Sequence, residues 1–298
     1  MYLIASITKF VKKIIKKLLI AGGMNNLPEF LIIGAQKAGT VPLLRYLQQH
    51  PELIGANKEI CFFSTNNYYK GVKWYKRQLP IRFDKKKLIF EKTPEYIYYP
   101  ETPKRIQKHN ENIKLILMIR NPVKRAFSGW NHYKKYYHSW ENYSKEKLIS
   151  RINRNLGFEK RKHMIDFLNE PEYKDFYECI IEEIELINKG IFRYSPSFVR
   201  RGIYYEQIKN YMNYFDKKQI LIIESSELRN KKEEVLNNVS DFLEISSFDF
   251  SNIDLKDSHK SNYKGTKIDG KSEKILKEFY KPYNEKLFNL IGKKYKWN

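Results

Sequence analysis

Cysteine is scarce in this chain, and its scarcity excludes most structures that depend on sulfur. Cys61 and Cys179 are the two cysteines among 298 residues, and no CxxC pair occurs. A disulfide framework or a zinc site is therefore not expected, and a reducing compartment such as the cytoplasm fits best. The sequence also lacks internal repeats and low-complexity segments, and its 15% aromatic content argues against disorder.

Long uncharged apolar runs are also absent. A bilayer-spanning helix needs about 20 such residues, and lysines interrupt the apolar stretch near the N-terminus, including any secretory core. Residues 1–24 instead place apolar side chains on one helical face and lysines on the other. This pattern favours a basic amphipathic helix that lies in a membrane interface. The expected location is therefore the cytoplasm, with peripheral attachment to the membrane surface. A helix docked on the protein's own surface is the alternative. The lysines are Lys9, Lys12, Lys13, Lys16 and Lys17.

Acidic residues are few relative to basic ones. The chain has 34 Asp and Glu against 56 Lys and Arg, which gives a formal net charge of +22 at pH 7. Such a surface attracts polyanions, whether nucleic acid, anionic lipid or a nucleotide with several phosphates. Lysines that merely face solvent are the alternative explanation for most of the surplus.

A phosphate-binding loop is the most informative feature that the sequence does contain. Residues 30–33 form a bulky apolar run, typical of a strand buried on both faces. Gly34, Lys37, Gly39 and Thr40 follow, and a helical pattern begins at once. This order aims backbone N–H groups and a helix N-terminus at a bound phosphate. A nucleotide-triphosphate P-loop reads G-x-x-x-x-G-K-[ST], but here Thr40 stands where that lysine belongs and Lys37 lies inside the loop.

This loop and five further segments resemble the sulfotransferases that use 3′-phosphoadenosine 5′-phosphosulfate (PAPS), in particular the heparan-sulfate group and its bacterial relatives. The segments follow the family's order and approximate spacing, so the resemblance spans residues 28–297. It implies an enzyme that transfers the sulfuryl group of PAPS to a hydroxyl or amine by in-line displacement, with a glycan or glycolipid as the favoured acceptor. The segments are Lys58–Phe63, Tyr68–Gly71 with Trp74 and Tyr75, Glu91–Pro94, Arg120–Ser128 and Arg201–Tyr204.

The resemblance also assigns the groups that carry the reaction. Lys37 would neutralise the charge that builds up on the leaving phosphate, and Glu59 would take the acceptor's proton. Lys92 would line the point where sulfate and acceptor meet, and Glu91 would pair with a lysine and orient it. His132 is a further catalytic candidate because it shares a helical face with the second nucleotide motif. The alternatives are a solvent-facing loop lysine for Lys37, a surface pair with Lys58 for Glu59, a strand-end salt bridge for Lys92, and a surface or packing role for His132.

The donor nucleotide is expected to bind through several of these segments. Arg120 and Ser128 match the motif that contacts the 3′-phosphate, where an arginine fork suits a dianion. Tyr204 belongs to a segment that resembles the loop closing over the adenosine. Lys264 and Gly265 match a late basic loop that clamps the 3′-phosphate, and Thr266 stands where the heparan enzymes continue with Arg. Val41 stands where many relatives carry a second hydroxyl. The expected donor-binding residues are Gln36, Lys37, Ala38, Gly39, Thr40, Val41, Arg120, Ser128, Tyr204, Lys264, Gly265 and Thr266.

Apolar runs predict the fold class. Four of them, at 30–33, 88–90, 115–119 and 220–223, are separated by helical stretches without hairpin turns. Parallel strands with helical crossovers follow, which gives an α/β fold: a P-loop-like central parallel sheet flanked by helices, with a helical insert and an N-terminal amphipathic helix. The phosphate loop and Arg120 each follow a strand, so both are expected at the carboxyl edge of the sheet, where ligands bind.

The expected organisation is a basic amphipathic segment at 1–24 and a sulfotransferase domain at 28–298. Within the domain, residues 131–198 are rich in Lys, Glu, Asn and Tyr and predict two or three polar helices that flank the acceptor cleft. Further helices are expected over residues 204–215, 231–243 and 272–292.

Two other functions compete with sulfuryl transfer. A P-loop kinase of a small molecule would need a lysine directly after Gly39 and a strand-borne aspartate for Mg²⁺, whereas the sequence has Thr40 and Arg120 there. A non-catalytic basic module for anionic lipid or nucleic acid would leave the ordered motifs unexplained. No metal is expected, because lysines can neutralise the leaving group. The expected partners are a sulfate acceptor (glycan, glycolipid or small polar molecule) and an anionic membrane surface through residues 1–20, with no nucleic acid.

Overall fold

Five parallel strands form the central sheet of the protein. The computed structural model describes residues 27–140, 158–253 and 267–297, together with residue 18. The strand order is 2-3-1-4-5, and every pairing between neighbours is parallel. In chain order the strands are β1 (Phe30–Gly34), β2 (Leu53–Gly55), β3 (Leu88–Lys92), β4 (Lys114–Ile119) and β5 (Ile220–Glu224).

Strand β1 lies at the centre of this sheet because both of its faces are apolar. All five of its residues are buried, as expected for a strand covered by helices on both sides. Ile32 is in register with Lys92 of β3 on one side and with Ile116 of β4 on the other. The register on the β4 side shifts between Ile32 and Gly34, at the point where the phosphate loop begins.

The strand order creates a crevice at the carboxyl edge of the sheet. The chain passes from β1 outward to β2, returns through β3, and then crosses β1 to reach β4 and β5. The connections that leave β1 and β4 therefore run in opposite directions from two neighbouring strands. In parallel α/β sheets, ligands bind at such a point, outside the carboxyl ends of the strands.

Helices connect the strands and cover the sheet, so the predicted α/β class with a central parallel sheet is confirmed. The predicted N-terminal helix and residues 264–266 lie outside the described residues. The described helices are α1 (Thr40–Leu47), α2 (Gly71–Gln78), α3 (Thr102–His109), α4 (Pro122–Trp140), α5 (Phe158–Asn169), α6 (Phe176–Asn188), α7 (Tyr204–Met212), α8 (Ser225–Asn230), α9 (Lys232–Leu243) and α10 (Gly270–Ile291).

A second, smaller core lies beside the sheet. It joins α4, α6 and α10, with Trp130, Phe176, Phe198 and Tyr280 among its buried side chains. Helices α5 and α6 belong to the predicted insert at 131–198, and α4 continues into it without a break. The described part of the insert is thus packed against α10 through an apolar interface of its own.

Candidate functional site

The phosphate loop lies between β1 and α1, at the carboxyl edge of the sheet. Lys37 has a φ of 67° and Gly39 a φ of 97°, so both residues adopt the left-handed conformation that turns the backbone sharply. Glycine adopts it freely, whereas a lysine does so at an energetic cost. Helix α1 then begins without a side-chain cap and without an acidic residue in its first turn. Its N-terminal dipole therefore favours an anion in the loop.

Arg120 joins the end of β4 to the phosphate loop. Its Nη1 donates to the carbonyl oxygen of Lys37 at 3.1 Å. The Tyr204 hydroxyl holds the Arg120 backbone, because it donates to the Arg120 carbonyl oxygen at 2.9 Å and accepts from its N–H at 3.3 Å. Tyr204 is only 1% exposed, so in this structure it supports Arg120. The expected contact between Tyr204 and the adenosine stays a prediction.

Glu59 and Lys92, expected to be the base and a lining residue, form an ion pair. Lys92 Nζ lies 2.5 Å from Glu59 Oε1. The Lys92 side chain, at the carboxyl end of β3, is 6% exposed, whereas that of Glu59 is 44% exposed. The lysine thus fixes the carboxylate from inside the fold, while the carboxylate itself stays accessible to an acceptor.

Glu91 is buried and accepts hydrogen bonds from three hydroxyl groups, whereas a lysine had been expected as its partner. Its carboxylate accepts hydrogen bonds from the hydroxyls of Tyr75 at 2.8 Å, Tyr96 at 2.6 Å and Thr93 at 2.8 Å. Burial raises the pKa of Glu91, and these hydrogen bonds oppose that rise. The expected pairing of Glu91 with a lysine is wrong, because the neighbouring Lys92 points to the opposite side of the strand, as alternate residues must.

His132 lies on α4 close to the charge of Lys37. Its pKa falls from 6.5 to about 4, chiefly because burial disfavours the cation and because Lys37 and Lys135 repel it, although Glu95 attracts it. The imidazole is therefore neutral at physiological pH. In that form it can accept a proton or a hydrogen bond, which keeps it among the catalytic candidates.

A second ion pair at the site was missed by sequence reasoning. Arg201 Nη2 donates to Glu95 Oε1 at 3.1 Å, and the Tyr99 hydroxyl donates to Glu95 Oε2 at 3.1 Å. The Arg201 side chain is 2% exposed and its guanidinium carbon lies 4.1 Å from the centroid of the Tyr98 ring. Since Glu95 acts on the pKa of His132, it belongs to the same part of the site. Glu95 could have been identified in the sequence from its position directly after the Glu-Lys-Thr-Pro motif.

Glu183, on α6 of the insert, holds the backbone segment that leads to Arg201. Its carboxylate is 2% exposed and accepts four hydrogen bonds, which is close to all that a carboxylate can accept. The segment is therefore fixed by an element outside the sheet. The donors are the N–H groups of Phe198 at 2.5 Å, Val199 at 2.9 Å and Arg200 at 3.0 Å, and the hydroxyl of Ser197 at 2.6 Å.

Cys61 lies among three carboxylates and keeps its proton. Burial raises the pKa of its thiol well above the ordinary range, and the charges of Glu95, Glu59 and Glu91 raise it further. A thiolate nucleophile is therefore disfavoured at this position. The backbone N–H of Cys61 donates to the Thr93 hydroxyl at 3.2 Å, and this bond joins the segment that follows Glu59 to the end of β3.

The other expected donor-binding residues differ in exposure. Ala38, Thr40 and Ser128 are buried, Val41 is 42% exposed, and Gln36 is half-buried. Their contacts with the nucleotide stay predictions. Within the described ranges, no group of three or more His, Cys, Asp or Glu is arranged to hold a metal ion. None of the described helices has the length and apolar character needed to cross a bilayer.

Comparison with known proteins agrees with this architecture. The sulfotransferase domain family matches residues 27–297, and the chain belongs to this family. Over 93% of its length it is 26% identical to the membrane-associated sulfotransferase kil1 of Dictyostelium discoideum, of which it covers 68%. Over 92% of its length it is 26% identical to the heparan sulfate glucosamine 3-O-sulfotransferase 5 of Mus musculus, of which it covers 75%.

A solved structure shares the fold. The crystal structure of a sulfotransferase from Alicyclobacillus acidocaldarius superposes with a TM-score of 0.64 and 24% identity, over 91% of this chain and 99% of that one. The protein is therefore an enzyme of the sulfotransferase class, as the ordered motifs predicted.

The lowered pKa of His132 leads to a first prediction. We expect the His132 resonances to show no titration between about pH 5.5 and 8, because a pKa of about 4 keeps the ring neutral throughout that range. NMR of histidine-labelled protein, assigned with a His132→Gln variant, measures this directly. In Lys37→Ala the midpoint should move upward, since one repelling charge is gone. A midpoint near 6.5 in the unaltered protein would contradict the prediction.

Proposed function

We propose that this sulfotransferase takes its sulfuryl group from PAPS and transfers it to a hydroxyl or amine of a glycan or glycolipid. The observation that carries the proposal is the bond from Arg120 to the Lys37 carbonyl, which joins two expected nucleotide motifs 83 residues apart in sequence. The paired Glu59 and Lys92 lie at the end of the strand on the other side of β1. The residues expected to bind the donor and to activate the acceptor thus lie at the ends of three adjacent strands, which supports the proposal.

The residues at this edge fit PAPS chemically. PAPS is anionic at both the 5′ and the 3′ end of its adenosine, and the edge offers the Lys37 ammonium, the Arg120 guanidinium and the uncapped N-terminus of α1. Lysine charges, arginine forks and helix N-termini are the groups that proteins use to bind phosphates. Lys37 and α1 would hold the phosphosulfate end, while Arg120 and Ser128 would hold the 3′-phosphate.

The chain's own residues would supply positioning, charge and a base. When bound, PAPS supplies the sulfuryl group. Lys37 would place its positive charge where negative charge accumulates on the departing phosphate. A Glu59 carboxylate oxygen would take the proton of the acceptor hydroxyl or amine, and Lys92 would keep that carboxylate in position. His132, neutral at pH 7, would accept a hydrogen bond from the acceptor.

A glycan acceptor is supported by the relatives and by the chemistry of the site. Several relatives are named as heparan sulfate glucosamine 3-O-sulfotransferases. The accessible part of the site presents the carboxylates of Glu59 and Glu95, which are 44% and 20% exposed. Carboxylates accept hydrogen bonds, so they suit an acceptor with several hydroxyl or amine donors, such as a sugar ring.

Calorimetry with nucleotides tests the donor. We expect micromolar binding of 3′-phosphoadenosine 5′-phosphate and none of ATP, because the loop has Thr40 where a triphosphate site has lysine. Arg120→Ala should weaken binding by roughly 10-fold to 150-fold, the cost of about 1.5–3 kcal/mol for a charged hydrogen bond. Arg77→Ala, which removes an exposed arginine from α2, is the matched control and should bind as the unaltered protein does.

Transfer from radiolabelled PAPS to a panel of acceptors tests the second half of the proposal. Sulfated glycan or glycolipid products are the expected result. Preferential binding of ATP would contradict the donor assignment. Turnover of small phenols alone, with every glycan unchanged, would keep the donor and remove the glycan acceptor.

We further infer that residues 1–24 attach the enzyme to anionic membranes. The five lysines of this segment would meet the headgroups, each contributing about 1 kcal/mol, while its apolar positions enter the acyl boundary. Deleting residues 1–24 should release the enzyme from anionic vesicles in a flotation assay and leave transfer to a soluble acceptor intact. Neutral vesicles are the control. Equal recovery of both proteins in the soluble fraction at low salt would contradict the inference.

A further inference from the structure

The connection between α2 and β3 exposes an aromatic side chain among basic ones. Residues 82–87, here called the basic turn, read Arg-Phe-Asp-Lys-Lys-Lys. The Phe83 side chain is 74% exposed, and Lys85 and Lys86 beside it are exposed as well. A large aromatic side chain displayed in this way has no role in the core.

The basic turn has a defined structure that holds Phe83 outward. The Asp84 carboxylate accepts from the Lys86 N–H at 2.9 Å, and the Lys87 N–H donates to the Asp84 carbonyl oxygen at 3.1 Å. Arg82 Nη1 closes the turn, because it donates to the Lys87 carbonyl oxygen at 3.0 Å and to Glu29 Oε1 at 2.7 Å. The acidic residue of the turn is thus engaged by the main chain. Lys85 and Lys86 are exposed to solvent, and Lys87 is half-buried.

The position of the basic turn relates it to the N-terminal segment. The turn precedes β3 and therefore lies at the amino edge of the sheet, opposite the phosphate loop. Glu29, which holds the turn through Arg82, precedes β1 at the same edge and also accepts from the Ile89 N–H at 2.7 Å. The described domain therefore begins, at Leu27, within two residues of a contact with the basic turn. The 26 residues ahead of Leu27 carry five lysines.

We propose that the basic turn is a second membrane contact of this enzyme, which docks on the surface of an anionic bilayer. Phe83 enters the boundary between headgroups and acyl chains, where aromatic rings partition well, and Lys85, Lys86 and Lys87 meet the anionic headgroups. The proposal extends the membrane role inferred for residues 1–24, but it rests on different residues. Glu52 is an acidic neighbour of Lys86, so we expect the exposed Lys85 to carry more of the attraction than Lys86.

A bilayer fits the shape and chemistry of the basic turn better than another macromolecule does. A stable protein partner buries a broad surface, about 800 Å² on each side, whereas the turn displays one exposed aromatic ring. A single-stranded nucleic acid requires several stacking platforms along a basic groove. One aromatic side chain surrounded by lysines matches the amphipathic boundary of a bilayer.

This docking fixes the orientation of the active site. In a parallel sheet, the amino and carboxyl edges are separated by the length of the strands, about 16 Å for five residues at ~3.3 Å each. With the amino edge on the membrane, Lys37, Glu59 and Arg120 face away from the bilayer. The acceptor group then reaches the enzyme from solution, or extends from the membrane by more than that distance.

Vesicle binding of the full chain tests the proposal. Phe83→Asp and the double variant Lys85→Ala/Lys87→Ala are compared with the unaltered protein on phosphatidylcholine vesicles with and without phosphatidylglycerol. We expect each to need about 10-fold more anionic lipid for half-maximal flotation. Ile191→Asp, at another exposed apolar residue, and Lys274→Ala/Lys281→Ala, on α10, are the matched controls and should bind as the unaltered protein does.

A spectroscopic readout reports on the basic turn independently of the N-terminal segment. Tryptophan emission in Phe83→Trp should be quenched by brominated lipid beyond the level of the unaltered protein, and that in Ile191→Trp should not. Transfer to a soluble acceptor should be unchanged in all variants, so a failure of the sulfotransferase assignment would be seen separately. Unchanged flotation of Phe83→Asp, or no added quenching in Phe83→Trp, would overturn the proposal.

Discussion

Replacing Lys37 with alanine is expected to lower kcat by about 10²–10³-fold or more, the effect of removing one preorganised group that stabilises developing charge. The loop itself should survive the change. The bond that ties it to Arg120 ends on the Lys37 carbonyl oxygen, which alanine retains. The loss should therefore fall on turnover, with a smaller loss in affinity for 3′-phosphoadenosine 5′-phosphate.

Steady-state kinetics and calorimetry on the same preparation separate these effects. Lys274→Ala is the matched control, because it removes an exposed lysine of α10 and one positive charge. The controlled comparison matters in a protein of net charge +22, where any lost lysine changes the long-range field. Turnover that stays within a few-fold of the unaltered enzyme would remove Lys37 from the mechanism.

Replacing Glu59 with glutamine is expected to lower kcat by about 10²–10⁴-fold and leave nucleotide binding nearly unchanged, since general base catalysis contributes that much. Glutamine has nearly the same size, and its amide oxygen can still accept from Lys92 Nζ, which lies 2.5 Å from the carboxylate. The variant therefore keeps the contact and loses the ability to take a proton.

Two further variants complete this experiment. Glu234→Gln alters a surface carboxylate that pairs with Lys231 at 2.9 Å, and it should leave kcat unchanged. His132→Gln tests the neighbouring neutral imidazole. A loss below tenfold in Glu59→Gln, combined with a large loss in His132→Gln, would place the base on the histidine.

The sheet could be predicted from sequence because its strands are short apolar runs between helical stretches. The four expected runs became β1, β3, β4 and β5, each extended by one or two residues. Strand β2 was missed, since Leu53–Gly55 is three residues long and pairs only at the edge of the sheet. The helix expected over 231–243 is preceded by a separate one, α8, which directly follows β5.

The site could be predicted only where a local motif carried it. The meeting of the phosphate loop with Arg120 followed from two motifs placed after adjacent strands. The pairing of Glu59 with Lys92 depends on how the segment after β2 packs against the end of β3. No local sequence pattern predicts that packing. The burial of Glu91 could not be predicted for another reason. The sequence alone does not distinguish a buried carboxylate that accepts from tyrosine hydroxyls from an exposed one.

The bonds around Glu183 bear on how this enzyme can be engineered. Glu183 lies on helix α6 of the insert and accepts hydrogen bonds from the backbone of residues 198–200. The next residue, Arg201, donates to Glu95, which lies close to His132. Helix α6 of the insert is therefore connected, through Glu183 and Arg201, to the part of the candidate site that holds His132. A chimera that exchanges the insert for that of a relative would keep its activity only if the donated helix brings a carboxylate to the place of Glu183. Activity would otherwise be lost, so the insert should be exchanged together with residues 197–201, the segment that Glu183 holds.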